Sequence, residues 1–149
     1  MESSLNPNIR IEIQDGFKAR SIVDAFYKAN GSPHTARPQD TFFLAFDGEK
    51  LIGCVRFCIE EETAMLRSMR VDANYQGQGV GRKLLEEFQN YLNLHQIRDT
   101  YCIPYEHLDK FYALIGFKIA DPETTPDFLL ERIATYRLTG QKYLCMWRP

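Results

Sequence analysis

Residues 70–88 read RVDANYQGQGVGRKLLEEF. Gly77, Gly79 and Gly81 alternate just ahead of a pattern in which Val80, Leu84, Phe88 and Leu92 recur at helical spacing, and Leu85 widens the apolar stripe. Glycine carries an entropy cost, so three of them at the start of a helix need a reason. A helix N-terminus exposes unpaired N–H groups and partial positive charge, and anions bind there. With no Cβ atoms ahead of it, the main chain admits a bulky anion such as a phosphate. Spacing excludes two common phosphate loops. A dinucleotide fingerprint counted from Gly77 needs a glycine where Arg82 stands. A G-K-[ST] loop is replaced by Gly81-Arg82-Lys83. On spacing alone, a plain strand-to-helix connection is the alternative.

Working outward, AMLRSMRV (residues 64–71) reads as the strand entering this loop, and Glu60-Glu61-Glu62 as the turn before it. TFFLAF and LIGCVRFCI flank Asp47-Gly48, a strong hairpin signal. Upstream, Ile9, Ile11 and Ile13 alternate with polar residues as a first strand. Asp15 caps a helix that carries Ile22, Val23, Phe26 and Tyr27 on one face and ends at Asn30-Gly31. Residues 30–41, with Pro33 and Pro38, form a loop or a short broken helix. Downstream, the central helix runs to about His95. DTYCIPY (99–105) reads as a strand, HLDKFYALIGF as a short helix and strand, and KYLCMW as a final strand. Thr125-Pro126 fits an N-cap and first helical position for a helix carrying Leu129, Ile133 and Tyr136. The order is mixed α/β, with a meander of strands before the central helix.

Bulk composition narrows the function. The chain has 149 residues, 44% of them hydrophobic and 26% charged, which suits one globular domain over 1–149. A net charge of −2 supplies no general field for nucleic acid or an anionic membrane. No apolar run approaches the ~20 residues that span a bilayer, and MESSLNPNIR lacks the apolar core of a signal peptide. Cys54 and Cys58 on one strand would stand about 13 Å apart, too far for a disulfide. Reduced thiols and a cytoplasmic location follow as expectations. His34, His95 and His107 are scattered without ligand spacing, so no metal is expected.

Two segments resemble one family, the GNAT superfamily of N-acetyltransferases. Its signature is a strand ending in Val, then Q/R-x-x-G-x-G/A opening a helix. Here Val71 precedes Gln76-Gly77-Gln78-Gly79-Val80-Gly81 at the family's spacing. The family also often shows F-Y-x-x-x-G-F, matched by residues 111–117, Phe111 to Phe117. The resemblance covers nearly the whole chain. It implies a central mixed, mostly antiparallel sheet of about seven strands flanked by helices, with a splayed coenzyme-binding cleft.

It further implies acetyl-CoA as co-substrate and a small-molecule primary amine as acceptor, in a monomer or homodimer. Main-chain groups of Gln76, Gly77, Gln78, Gly79, Val80, Gly81 and Arg82 would hold the pyrophosphate, and those of Met69, Arg70 and Val71 the pantetheine arm. Tyr112 aligns with the family's general acid, a phenol of pKa near ~10 that can protonate a thiolate. The Glu that some members use as base is Met65 here, which leaves Glu60–Glu62, His34, His107 or a water relay. Glu60, Glu61 and Glu62 are expected to be solvated. An Asn frequent seven residues before the tyrosine is Tyr105. The acceptor is expected near His34 and Arg37 on the loop after the first helix, with the 126–139 helix covering the site. Arg56 and Arg67 are expected to face outward; turned into the cleft, either would pair with a substrate carboxylate. Other acyl donors, a protein amine as acceptor, and a non-catalytic coenzyme A sensor are the rival readings.

Overall fold

Asp15 ends the first strand and starts the first helix: its carboxylate accepts the Lys18 N–H at 2.8 Å. In the computed structural model, residues 8–149 are described, so most of the N-terminal segment read above lies outside them. Chain order is β1 (Ile9–Asp15), α1 (Gly16–Ala29), β2 (Thr41–Asp47), β3 (Lys50–Glu60), β4 (Thr63–Val71), α2 (Val80–Leu94), β5 (Thr100–Cys102), α3 (Asp109–Ala113), β6 (Lys118–Ile119), α4 (Asp127–Arg137) and β7 (Met146–Arg148). The strands form one seven-stranded sheet in the order β1-β2-β3-β4-β5-β7-β6. Every neighbouring pair is antiparallel except β4 and β5.

Strand alternation sends side chains to two covered faces. Phe43, Ala45, Val55, Phe57 and Leu66 pack against Leu84, Leu85, Phe88 and Leu92 of α2. Each Val, Leu or Phe among them contributes about 1.5–3 kcal/mol by leaving water. On the other face Phe42, Leu44 and Cys54 pack against Ala19, Val23, Phe26 and Tyr27 of α1. Ile22, expected on that face, is 38% exposed instead. Further along the same face, Cys58 and Met65 meet Leu129 of α4. Both central strands are thus covered front and back, and a gap remains between α1 and α4.

Local differences from the sequence reading have clear causes. Pro126 occupies the cap position of α4, one residue later than expected, because the Thr125 hydroxyl donates to the Asp121 carbonyl at 2.7 Å. The strands expected over 99–105 and 142–147 are shorter, at Thr100–Cys102 and Met146–Arg148. Pro104 has no N–H to offer a ladder. Its carbonyl instead accepts from Leu144 at 2.9 Å, and Tyr105 and Tyr143 form an isolated bridge. No helix among the described residues is long and apolar enough to cross a membrane. The four cysteines are free thiols, and no metal-binding cluster of His, Cys, Asp or Glu occurs among the described residues.

Candidate active site

The cleft begins where β4 and β5 part. Their pairing consists of Ala64 with Thr100 and Met65 with Tyr101, and the strands diverge beyond it. Divergence coincides with a bulge in β4. Cys54 and Arg56 of β3 pair with Arg70 and Arg67, so two residues of β4 stand where β3 has one. Ser68 in this bulge has φ 58°, an uncommon conformation for a residue with a side chain. The Tyr27 hydroxyl donates to the Ser68 carbonyl at 2.6 Å, and the Cys54 thiol donates to the Tyr27 oxygen at 2.9 Å. Neither Tyr27 nor Ser68 stood out in the sequence, because a bulge has no composition of its own.

A cavity of about 390 Å³ fills the divergence, bounded by Leu66, Ser68 and Met69 of β4, by Cys102 to Tyr105, and by Tyr112. Tyr112, in α3, is 5% exposed. Burial, reinforced by the neighbouring Cys102, raises its pKa far above the ordinary phenol value, so in the free protein it stays protonated and is a weaker acid than the ordinary phenol expected above. Met65 lines the same cavity and cannot exchange a proton. Tyr105, at the position of the frequent family Asn, also lines it, stacked on Tyr143 at 4.9 Å. His107 stacks outside on Tyr105 at 5.7 Å, and His95 packs on Tyr91 at 4.3 Å. Of the three histidines, His34 alone borders the cavity.

Beyond Val71 the chain makes a short 3-10 turn and enters the glycine loop. Side-chain amides hold its shape: Gln76 donates to the Val71 carbonyl and Gln78 to the Asn74 carbonyl, both at 3.2 Å. Gly77 and Gly79 have φ values of 77° and 84°, which only glycine adopts without strain. Gly79 is the N-cap of α2, and no side chain caps the helix there. The first N–H groups of α2 are therefore left without a side-chain cap, beside the exposed Gln76, Gly77 and Gln78. Gly81 has a packing role besides the one read for its main chain in the sequence. A Cβ there would stand 3.1 Å from Phe111 Cζ, so this glycine lets α3 pack against α2 and so positions the adjacent Tyr112. Arg82 is exposed, while Lys83 lies 3.5 Å from Glu87.

The gap between α1 and α4 holds an arginine cluster. Arg56 does not face outward: it is 6% exposed, with its guanidinium 4.8 Å from the centre of the Phe42 ring and 2.9 Å from Asp40. β3 is a central strand covered on both faces, so an outward position is not available to it. Asp40 is fully buried, and Arg37 also bonds it, at 2.8 Å. Arg67 is half-buried, pairs with Glu60 at 3.0 Å, and donates to the Tyr136 hydroxyl at 3.2 Å. Glu60 is therefore not a solvated turn residue. It also meets Arg132 of α4 at 2.8 Å. Burial opposes its ionisation, but Arg67 and Arg132 prevail and hold its pKa below the usual carboxylate range. Glu61 and Glu62 are exposed, as expected.

His34 lies where this cluster meets the cleft, edge-on to Tyr27 at 5.6 Å. Partial burial, then the charges of Arg56, Arg67 and Arg70, lower its pKa. Arg70, expected at the coenzyme arm, is exposed, and its side chain donates to the Asn30 carbonyl at the end of α1. The structure thus gathers Tyr112, His34, Arg67 and the bulged β4 around one cleft, with Arg37 and Arg56 behind it. The glycine loop opens α2 at the end of the same strand.

The open, mostly antiparallel sheet thus splays beside a bulged strand that feeds a glycine loop at a helix N-terminus. The sequence model of the acetyltransferase (GNAT) domain matches residues 38–119, more than half of the chain. The protein belongs to the GNAT acetyltransferase family. Its fold is similar to that of Escherichia coli ElaA, with TM-score 0.70 at 14% identity over 95% of this chain and 99% of that one. It is also similar to that of an acyl-CoA N-acyltransferase from Pseudomonas aeruginosa, with TM-score 0.68 at 14% identity over 95% and 99% of the two chains. N-acetylglutamate synthase from Neisseria gonorrhoeae, in complex with coenzyme A and N-acetyl-glutamate, gives TM-score 0.61 at 17% identity over 93% of this chain and 35% of that one. Compared with curated proteins, the sequence matches none.

Proposed function

We propose that the protein transfers the acetyl group of acetyl-CoA to a primary amine of a small molecule. The observation that carries this reading is the combination of three features: uncapped amides at the start of α2, a cleft where β4 leaves β5, and a protonated Tyr112 lining that cleft. The family assignment supports the acetyl donor, and the coenzyme A bound in the gonococcal structure supports coenzyme A as a ligand. Main-chain amides from Gln76 to Arg82 suit a diphosphate, since they are glycine-shaped and unblocked by a side-chain cap.

When bound, acetyl-CoA supplies an electrophilic thioester. Main-chain groups of Met69, Arg70 and Val71 pair with its extended arm, and the N–H groups of β4 polarise the acetyl carbonyl. His34 takes the proton that the amine sheds as the new N–C bond forms. A lowered pKa keeps His34 neutral and ready for this at pH 7. Tyr112 gives its proton to sulfur as the C–S bond breaks. The free thiols suit a reducing cytoplasm.

Incubating the protein with acetyl-CoA and a panel of primary amines, while following free thiol, tests the reading. Amine-dependent release is expected. Its absence, together with unmoved amide resonances at residues 76–82 on adding coenzyme A, overturns it.

A further inference from the structure

We infer that the acceptor carries a carboxylate besides its amine, and that Arg56 and Arg67, with Arg37, form the subsite for it. This rests on the transferase reading above but names the substrate class. A second cavity, of about 260 Å³, opens beside the cleft and is lined by Arg37, Arg56, Arg67, His34, Cys58 and Ser68, among others. His34, Arg67 and Ser68 border both cavities, so the two adjoin at the bulge.

The charges there do not balance. Arg37, Arg56, Arg67 and Arg132 share two carboxylates, those of Asp40 and Glu60. Two positive charges are left over, and no carboxylate lines the second cavity among the described residues. The Cys58 thiol cannot supply the missing anion, because burial pushes its pKa up to about 12. Arg56 and Arg67 are cross-strand partners, an arrangement that repels unless something compensates it. Arg56 is more than nine-tenths buried, and its Nε and Nη2 have no hydrogen-bond partner among the described residues. The Phe42 and Tyr27 rings lie against this guanidinium and offset part of the cost of burying its charge, and an anion in the adjoining cavity, beside Arg37 and Arg67, offsets more. A planar carboxylate fits the fork of a guanidinium.

The layout also sets the shape of the molecule. A carboxylate in the second cavity places an amine one short linker away at the junction, beside His34 and the β4 bulge. The ligand is then an amino acid or a compact relative of one, rather than a polyamine.

The test compares free amino acids with their primary amides, using acetyl-CoA and thiol release. Loss of one charge-assisted pair lowers kcat/KM about 10- to 150-fold, so an accepted acid is expected to exceed its amide by that factor. Arg67→Gln is expected to collapse the acid-to-amide ratio towards one. In parallel, arginine side-chain Nε–Hε resonances are followed as the same acids and amides are added without acetyl-CoA. Amides or simple amines turned over as well as acids overturn the carboxylate subsite and leave the transferase reading standing. Arginine resonances shifted by acids and not amides, with no thiol released, support the subsite and remove the transferase reading. No release and no shift with any acid overturns the inference.

Discussion

Tyr27 on α1 is tied to Ser68 in the β4 bulge by a 2.6 Å hydrogen bond from its hydroxyl to the Ser68 carbonyl. The pair joins the helix that borders the arginine cluster to the strand that borders the cleft. Ser68 sits at φ 58°, so its conformation depends on what surrounds it.

Tyr27→Phe removes the donor at constant ring volume. An unsatisfied carbonyl costs about 1–3 kcal/mol when buried. Ser68 is only partly buried, so the lower end applies and a loss of about 1 kcal/mol is expected. Urea unfolding should show a lower midpoint with an unchanged slope, and kcat should fall more than coenzyme affinity. A variant as stable and active as the parent would show that the bulge holds its shape without this bond.

The glycines of the loop should respond differently to alanine. Gly79→Ala forces a Cβ into the left-handed region at φ 84°, with a cost of about 1–2 kcal/mol and weaker coenzyme A binding. Gly81 is helical, and its constraint is Phe111. Coenzyme binding by Gly81→Ala should recover when Phe111→Leu is added, whereas Gly79→Ala should not. Calorimetric titration of the two double variants decides it, and recovery of both would undo the distinction.

Tyr112→Phe keeps the ring in its packed site and removes the proton. General acid catalysis contributes typically 10²–10⁴-fold, so a fall in kcat of about 100-fold or more is expected. Coenzyme A affinity should stay within about twofold, since less than ~0.5 kcal/mol separates such values. Equal turnover by the variant takes Tyr112 out of the mechanism.

The pH profile reports on His34. Its folded-state pKa lies below the ordinary 6.5, chiefly through burial and then through Arg56, Arg67 and Arg70. The base form, and the stability linked to it, is present above 6.5 and is lost only as pH falls through the lowered value. The acidic limb of kcat/KM should therefore fall below pH 6.5. Arg67→Gln removes one of the charges and should move that limb upward, while His34→Gln should abolish it. A limb unaltered in both variants would assign the base elsewhere.

Much of this protein is written locally. Helical periodicity from Val80 to Leu92, the Asp15 cap and the hairpin at Asp47-Gly48 all depend on near neighbours, so each could be read along the chain. Left-handed glycines leave the same kind of trace, since φ values of 77° and 84° exclude most other residues whatever the rest of the fold does. The roles expected of Tyr112 and the glycine loop came from the resemblance of their two motifs to one family.

The arginine cluster was not legible in that way. Whether Arg56 points into solvent or onto Phe42 depends on which elements cover β3, and those lie far off in sequence. Glu60 looked like one of three turn acids until Arg67 and Arg132 converged on it from different elements. The bulge at Ser68 arises because β4 must pair with β3 on one side and leave β5 on the other. Local conformational preference is a property of a few consecutive residues and survives in sequence. Burial, register and charge pairing belong to contacts between distant segments, and those form only when the sheet closes around them.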